Sequence, residues 1–248
     1  MLHLIDKIHK NLLKLIYPSY CSGCQSLLLK NEIILCTHCL HNLPTTLHLD
    51  IQHNEIIKNF YGIIPIEFAA SFLYFHQNGI AQNLIHELKY KKRQDIGVYL
   101  GELFGHQLLQ SKHIKNIDYI IPVPIHKKRL HERGYNQVDT FCQTLSEICS
   151  LEYKKDLLLR TKYSKSQTKK SKQERSTIKS SLFSLSNNKA YEGSHFLLID
   201  DVITTGATLA ACATQLIQAG AKSVAVLAVA RSLTFDKYRH AIFKKYGC

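Results

Sequence analysis

The segment 196–209 combines two carboxylates, three threonines and one glycine in an order that can bind a sugar phosphate. Four apolar residues predict a buried parallel strand, followed by Asp200 and Asp201, a loop of hydroxyls and a helical pattern. Free N–H groups and the dipole at a helix start attract a phosphate, and Gly206 lets the backbone close around it. The two carboxylates can accept hydrogen bonds from vicinal hydroxyls. The predicted ligand therefore carries a phosphate and a diol, as a ribose 5-phosphate does.

Ordinary helix capping would explain one of these residues but not their whole succession. A Rossmann dinucleotide site is disfavoured, because no G-x-G-x-x-G motif follows a predicted strand. The segment resembles the phosphoribosyl pyrophosphate (PRPP) motif of type I phosphoribosyltransferases. That resemblance implies that Asp200 and Asp201 are the catalytic pair and hold the ribose diol. It assigns the 5-phosphate to a loop of five residues: Thr204, Thr205, Gly206, Ala207 and Thr208.

Two C-x-x-C pairs lie near the start of the chain, separated by eleven residues. They are Cys21 with Cys24, and Cys36 with Cys39. This spacing is typical of four thiolates around one structural Zn²⁺, whose binding would supply most of the folding energy of so small a module. The alternative is a redox dithiol, but no thioredoxin-like unit surrounds either pair. The other cysteines lie mainly in apolar helical patterns and are interpreted as packing residues.

The composition indicates a globular protein with an anionic partner. The 248 residues carry a formal net charge of +13 and are 45% hydrophobic, which is enough for a substantial core. No apolar run approaches the roughly 20 residues of a membrane span. Residues 1–17 read as an amphipathic helix that packs on the chain's own core rather than as a signal peptide, so a cytoplasmic protein is expected.

A basic segment, 122–137, lies at the end of another predicted strand. Ligands of open α/β sheets bind at the carboxyl ends of strands, so Lys127, Lys128 and Arg129 would face a pyrophosphate bound beside the first loop. The alternative is a solvated basic turn at the start of a helix. A second basic stretch, 160–179, has eight Lys or Arg residues and is rich in Ser and Thr, which predicts a solvated flexible loop.

Strands and helices alternate after the cysteine module. The predicted strands lie at 68–75, 119–124, 156–160, 182–185, 196–200 and 224–229. One helix is predicted after residue 79, and others are predicted at 96–109, 132–149 and 208–219. The expected fold is α/β, a doubly wound, mainly parallel sheet with a small N-terminal tetracysteine zinc module. We expect the module in residues 1–45 and the phosphoribosyltransferase-like domain in 46–248, with a hood-like segment at 60–115 and a flexible basic loop at 160–180.

The cysteine module, the 88–90 and 122–137 segments and the phosphate loop together resemble the ComF family of competence proteins. Arg160, Gln167 and Arg175 of the basic loop contribute to this resemblance, although Thr177 and Ile178 replace the usual Asn after the second arginine. The resemblance implies a role in natural transformation, in which incoming single-stranded DNA is handled in the cytoplasm. It also implies partners in the DNA-uptake or recombination machinery and a retained site for PRPP or a related nucleotide. Tyr17, Tyr20, Tyr135 and Tyr163 are candidates for stacking on DNA bases.

Three other functions stay open from the sequence. An active phosphoribosyltransferase of nucleotide or base metabolism would displace pyrophosphate from PRPP with Mg²⁺ as a cofactor, but no acceptor pocket is recognisable. An amidotransferase would need a glutaminase domain that this chain lacks. A regulator would have kept the fold and lost the chemistry.

Overall fold

The computed structural model describes residues 18–161, 182–186 and 191–233. Within these ranges the helices are α1 (Thr37–His41), a 3-10 helix (Ile57–Phe60), α2 (Ile80–Tyr90), α3 (Asp95–Gln110), α4 (Lys127–Arg133), α5 (Asp139–Cys149) and α6 (Ala207–Gln218). The strands are β1 (Ala69–Phe75), β2 (Tyr119–Pro122), β3 (Glu152–Tyr153), β4 (Leu158–Arg160), β5 (Phe183–Leu185), β6 (His195–Ile203) and β7 (Ser223–Ser232).

Five strands form one parallel sheet in the order β1-β7-β6-β2-β3. Strands β4 and β5 pair separately as an antiparallel hairpin. The central strand β6 lies between β7 and β2, so the loops that follow β2 and β6 emerge at the same edge of the sheet. This architecture confirms the predicted α/β class with a parallel sheet.

The sheet is covered on both faces, as its almost uniformly apolar strands require. Along β6, Leu197 and Ile199 belong to the core that holds α2, α3 and α5, whereas Phe196 and Leu198 belong to the core beneath α6. Each of these side chains is at least 99% buried, and burying one contributes roughly 1.5–3 kcal/mol. The two cores fix the position of β6 and therefore of the loop that follows it.

Two predicted elements differ from the structure. The helix expected at 132–149 is two helices, because α4 ends at Gly134 in the left-handed conformation and Asn136 donates a hydrogen bond to the Val123 carbonyl. Strand β6 continues three residues beyond Asp200, since its register with β7 extends to the pair Ile203 and Arg231. The two carboxylates therefore lie within the last paired residues of β6 and not after the end of the strand.

The predicted N-terminal helix and residues 162–181 lie outside the described residues. Among the helices that are described, none has both the length and the hydropathy of a membrane span.

Candidate functional site

The loop 204–206 joins the end of β6 to the start of α6 at the carboxyl edge of the sheet. Gly206 is the N-cap of α6 and has φ +76°, the left-handed region that favours glycine. A β-carbon at this position would lie 3.0 Å from Cζ of Phe60 on the 3-10 helix. The chain therefore needs glycine here both for the backbone conformation and for the close approach of an aromatic ring.

The start of α6 is open to an anion. No side chain caps it, and the N–H groups of its first turn lack intrahelical acceptors by geometry. Thr204 and Thr205 are exposed, and the Thr205 hydroxyl accepts only a long bond, 3.4 Å, from the Ala207 N–H. The loop is supported from the side by Asn59, whose amide donates to the Thr204 carbonyl at 3.4 Å. The five predicted loop residues thus form a continuous set of N–H and hydroxyl donors at a positive helix end.

Asp201 points into the protein. Its side chain is 8% exposed, and Oδ2 lies 2.6 Å from Nζ of Lys89, the penultimate residue of α2. The same oxygen accepts a hydrogen bond of 2.7 Å from Nε2 of Gln137. The second oxygen, Oδ1, accepts from the Val202 N–H at 2.6 Å. Three donors hold this carboxylate, so Asp201 ties the end of β6 to α2 and to the start of α5.

Asp200 has a different environment. It is largely buried, and Oδ1 accepts the N–H of Asp201 at 2.8 Å. Burial of the carboxyl group and the neighbouring charge of Asp201 raise the pKa of Asp200 to about 7, against the opposing effects of the Asp201 N–H, Lys89 and Arg160. The adjacent acids therefore divide their roles: Asp201 is held in a network, and Asp200 is the carboxyl group whose protonation changes near neutral pH.

The basic residues predicted to face pyrophosphate lie on α4, which follows β2 at the same edge of the sheet. Lys127, Lys128 and Arg129 are exposed, and none of the seven residues of α4 is buried. Arg129 helps to line a cavity of about 340 Å³ that also includes Lys89, the partner of Asp201. The structure thus brings Arg129 towards the acidic pair, whereas Lys127 and Lys128 project from the surface beside it.

Of the three residues predicted in the basic loop, Arg160 is described and Gln167 and Arg175 lie outside the described residues. Arg160 ends β4, and its guanidinium carbon lies 5.5 Å from the Phe183 ring centroid. Its positive charge opposes the rise in the pKa of Asp200. The start of the predicted loop therefore acts on the site electrostatically.

The four predicted zinc ligands converge. The Sγ atoms of Cys21, Cys24, Cys36 and Cys39 all lie within 4.8 Å of one another, and those of Cys24 and Cys36 are 3.7 Å apart. Tetrahedral coordination with Zn–S bonds of about 2.3 Å places sulfurs about 3.8 Å apart. Backbone N–H groups of Gly23 and Cys36 donate to Cys21 Sγ at 3.3 and 3.2 Å, and these hydrogen bonds orient the sulfur as a ligand. The residues present fit a structural zinc ion.

The cysteine cluster packs on α2. Asn83 donates a hydrogen bond of 2.7 Å to the Gly23 carbonyl, and Gln25 donates to the buried Glu87 at 3.3 Å. Cys21, Cys36 and Cys39 belong to the same apolar core as α2 and α3. Helix α2 therefore carries the cysteine cluster at one point and Lys89 of the acidic network at another.

Several residues of the site were not expected from the sequence. Lys89 and Gln137 stood inside segments that contributed to the family resemblance, but nothing in their spacing indicated that both contact Asp201. Asn59 and Phe60 lie in a stretch without periodicity, which offered no signal. Among the candidate stacking tyrosines, Tyr20 is half exposed, Tyr135 is buried with its hydroxyl donating to the Leu88 carbonyl, and Tyr17 and Tyr163 lie outside the described residues.

Comparison with known proteins matches this chain to a domain family and to named relatives. The family model of the phosphoribosyl transferase domain matches residues 141–245, which include the acidic pair and the β6–α6 loop. The DNA utilization protein YhgH of Shigella flexneri is 33% identical over 153 residues, 60% of this chain and 66% of that protein. Competence protein F of Haemophilus influenzae is 32% identical over 124 residues, which are 50% of this chain and 54% of that protein. Competence protein ComFC of Bacillus subtilis is 38% identical over 114 residues, which are 46% of this chain and 44% of that protein. The matched part of this chain spans 66% or less of the length of these relatives.

Solved structures with similar chains include the glutamine PRPP amidotransferase from B. subtilis and an adenine phosphoribosyltransferase. The first is 16% identical, and the match covers 66% of this chain and 43% of the amidotransferase chain, with a TM-score of 0.40. The second is 18% identical, and the match covers 61% of this chain and 76% of the adenine phosphoribosyltransferase chain, with a TM-score of 0.33. The assignment of the fold rests on the strand order and on the domain match. With its phosphoribosyltransferase domain, its cysteine cluster and these relatives, the chain belongs to the ComF family.

Proposed function

We propose that this protein acts in DNA uptake, where it handles incoming single-stranded DNA, and that its phosphoribosyltransferase-like domain binds PRPP. The observation that carries the proposal is the β6–α6 connection. It sets an uncapped helix start, a left-handed glycine and two exposed threonines at the end of the strand that carries Asp200. A phosphate group at the helix start leaves the attached sugar within reach of that carboxyl group.

Each part of PRPP has a complementary part of the site. The N–H groups and hydroxyls of residues 204–208 would bind the 5-phosphate, and Asp200 would accept hydrogen bonds from the ribose hydroxyls. Arg129, with Lys127 and Lys128 beside it, would neutralise pyrophosphate, and Arg160 would approach from the β4 side. Mg²⁺ would accompany PRPP and neutralise part of its charge. Asp201 would act as a positioning residue, because its oxygens are already occupied by protein donors.

The DNA half of the proposal is supported by charge and by the relatives. The chain carries a formal net charge of +13, which favours a polyanion. The relatives bear the names DNA utilization protein and competence protein. Zinc in the cysteine cluster would hold residues 21–39 against α2. The setting would be the cytoplasm, with the DNA-uptake or recombination machinery as partner.

A second candidate function is transfer of the phosphoribosyl group to an acceptor. One observation favours it: a carboxyl group with a pKa of about 7, at Asp200, can hold or release a proton at neutral pH. Release of pyrophosphate from Mg-PRPP in the presence of candidate nitrogen acceptors would detect this activity. Absence of pyrophosphate release would refute the transfer reaction but not the proposed binding of PRPP.

The experiment for the proposed function pairs Asp200→Asn with Asp50→Asn, which makes the same change at an exposed position. A ligand present at 100 times its Kd stabilises the fold by about 2.7 kcal/mol, so PRPP should raise the Tm of the wild-type protein by several degrees. The rise should be kept in Asp50→Asn and lost in Asp200→Asn. In cells, the Asp200→Asn chain at normal abundance should lower transformation frequency. An undiminished Tm shift in Asp200→Asn would refute the PRPP site, and unchanged transformation would separate that site from DNA uptake.

A further inference from the structure

Tyr90 is the last residue of α2, it follows Lys89, the partner of Asp201, and it is 64% exposed. The guanidinium carbon of Arg133 on α4 lies 5.2 Å from the centre of the Tyr90 ring, and the His86 ring centroid lies 4.9 Å from it. Cationic and aromatic neighbours hold the ring in place while most of its surface faces solvent. A fixed, exposed ring is a surface on which a nucleic-acid base can stack.

Tyr90 lines the 340 Å³ cavity between α2 and α4 together with five other residues: Lys89, Lys92, Arg129, Glu132 and Arg133. Four of these six side chains are cationic and one is acidic. Lys89 is paired with Asp201, so Lys92, Arg129 and Arg133 provide the excess positive charge. The volume is near the lower end of the range for small-molecule sites, and it suits one nucleotide unit rather than a large ligand.

The cavity is connected to the acidic pair by hydrogen bonds. Nη1 of Arg133 donates to Oε1 of Gln137 at 2.7 Å, and Nε2 of the same Gln137 donates to Asp201 at 2.7 Å. Lys89, which precedes Tyr90 in the sequence, provides a second connection because it forms an ion pair with Asp201. A group bound on Tyr90 would therefore lie beside the proposed PRPP site, at the same edge of the sheet.

We propose that the cavity between α2 and α4 is a stacking site for single-stranded DNA, with a base on Tyr90 and phosphates on Lys92 and Arg133. The assignment deepens the proposed function and rests on its DNA half. Single-stranded DNA binders combine a basic groove with aromatic rings on which bases stack, and this cavity holds both elements. Duplex DNA, whose bases are already stacked on each other, cannot use the ring in this way.

The first test compares Tyr90→Ala with Tyr90→Phe, which keeps the ring. Affinity for a fluorescein-labelled oligothymidine is measured by anisotropy, and affinity for PRPP is measured by calorimetry on the same preparations. Loss of one base–aromatic stack lowers affinity for single-stranded DNA by about 5- to 150-fold, so Tyr90→Ala should show this loss and Tyr90→Phe should not. Both variants should keep the wild-type affinity for PRPP. Circular dichroism verifies that each variant is folded.

The second test counts phosphate contacts. Lys92 has φ +56°, a conformation that asparagine tolerates better than most residues, so Lys92→Asn removes the charge without added backbone strain. Its slope of log affinity against log salt should be smaller by about 0.7, the value for one contact with a single strand. Lys115→Asn makes the same charge change in the exposed loop before β2, at the opposite edge of the sheet, and should keep the wild-type slope.

The outcomes separate this inference from the proposed function. If wild-type protein does not bind the oligonucleotide, the DNA half of the proposed function fails and the stacking site fails with it. If wild-type protein binds and Tyr90→Ala binds equally well, the stacking site is refuted and DNA binding lies elsewhere. If Tyr90→Ala loses PRPP affinity to the same degree as DNA affinity, the cavity belongs to the sugar-phosphate site and the inference is wrong.

Discussion

Replacing Lys89 by Met tests whether Asp201 is held as a buried ion pair. The change keeps the length of the side chain but leaves a carboxylate that is 8% exposed without its cation, originally 2.6 Å away. At an effective dielectric constant of about 20, the direct attraction over that distance is about 6 kcal/mol. Removal of one partner from a buried pair costs about 3–5 kcal/mol. Because Lys89 is 21% exposed and Gln137 still donates to Asp201, we expect the low end, about 3 kcal/mol.

The assay is a double-mutant cycle. Free energies of unfolding are measured in urea, with zinc saturating, for wild type, Lys89→Met, Asp201→Asn and the double variant. Lys89→Met alone should also lower the Tm by about 6–12 °C. The double variant should be more stable than the sum of the single losses predicts, by about 2–3 kcal/mol, because the uncompensated charge is gone. Additive losses, or a loss below about 0.5 kcal/mol in Lys89→Met, would refute the argument that this pair anchors the end of β6.

Three further predictions concern the loop, the acid and the cysteines. Gly206→Val should abolish PRPP binding and destabilise the fold by more than about 1 kcal/mol, because φ is +76° and Phe60 leaves no room for a side chain; calorimetry and urea unfolding measure both effects, and unchanged affinity would contradict the loop geometry. The pKa of Asp200 is raised to about 7 in the folded protein, so the folded state binds its proton more tightly than the unfolded chain, whose aspartate titrates near 4. The stability that Asp200 contributes should therefore fall as pH rises from about 4 to about 7 and stay constant above, and Asp200→Asn should remove this part of the pH profile; an identical profile in the variant would show that the carboxyl group is not perturbed. Cys36→Ser should reduce the amount of bound zinc, measured by atomic absorption, from one ion per chain towards none. Cys149→Ser, a change of the same type in the core, should keep one ion, and full zinc content in Cys36→Ser would exclude the four-cysteine site.

The β6–α6 loop was predictable because the features that define it are local. A buried apolar strand, two acids, hydroxyls and a glycine follow one another within fourteen residues, so the sequence alone indicates a strand, a loop and a helix start in that order. The cysteine cluster was predictable for the same reason, since two local pairs at a fixed separation define a metal geometry. The parallel sheet followed from the alternation of apolar strands and amphipathic helices.

The roles within the acidic pair were not predictable, since they depend on contacts across the chain. Gln137 is separated from Asp201 by 64 residues, and Lys89 is still farther away. Only the packing of α2 and α5 on one face of the sheet brings both to Asp201, and this contact network is the basis for proposing Asp201 as a positioning group and Asp200 as the ligand-binding acid. The choice of Tyr90 rather than Tyr135 as the proposed stacking residue has the same origin, because burial of one ring and exposure of the other are decided by packing rather than by nearby basic residues.

The central claim is that the β6–α6 loop binds the phosphate of PRPP next to Asp200. The most direct measurement is calorimetric titration of the purified, zinc-loaded protein with PRPP, with and without Mg²⁺. We predict micromolar binding that requires Mg²⁺, has one site per chain and is abolished in Gly206→Val. Absence of binding by folded wild-type protein in the presence of Mg²⁺ would contradict the claim.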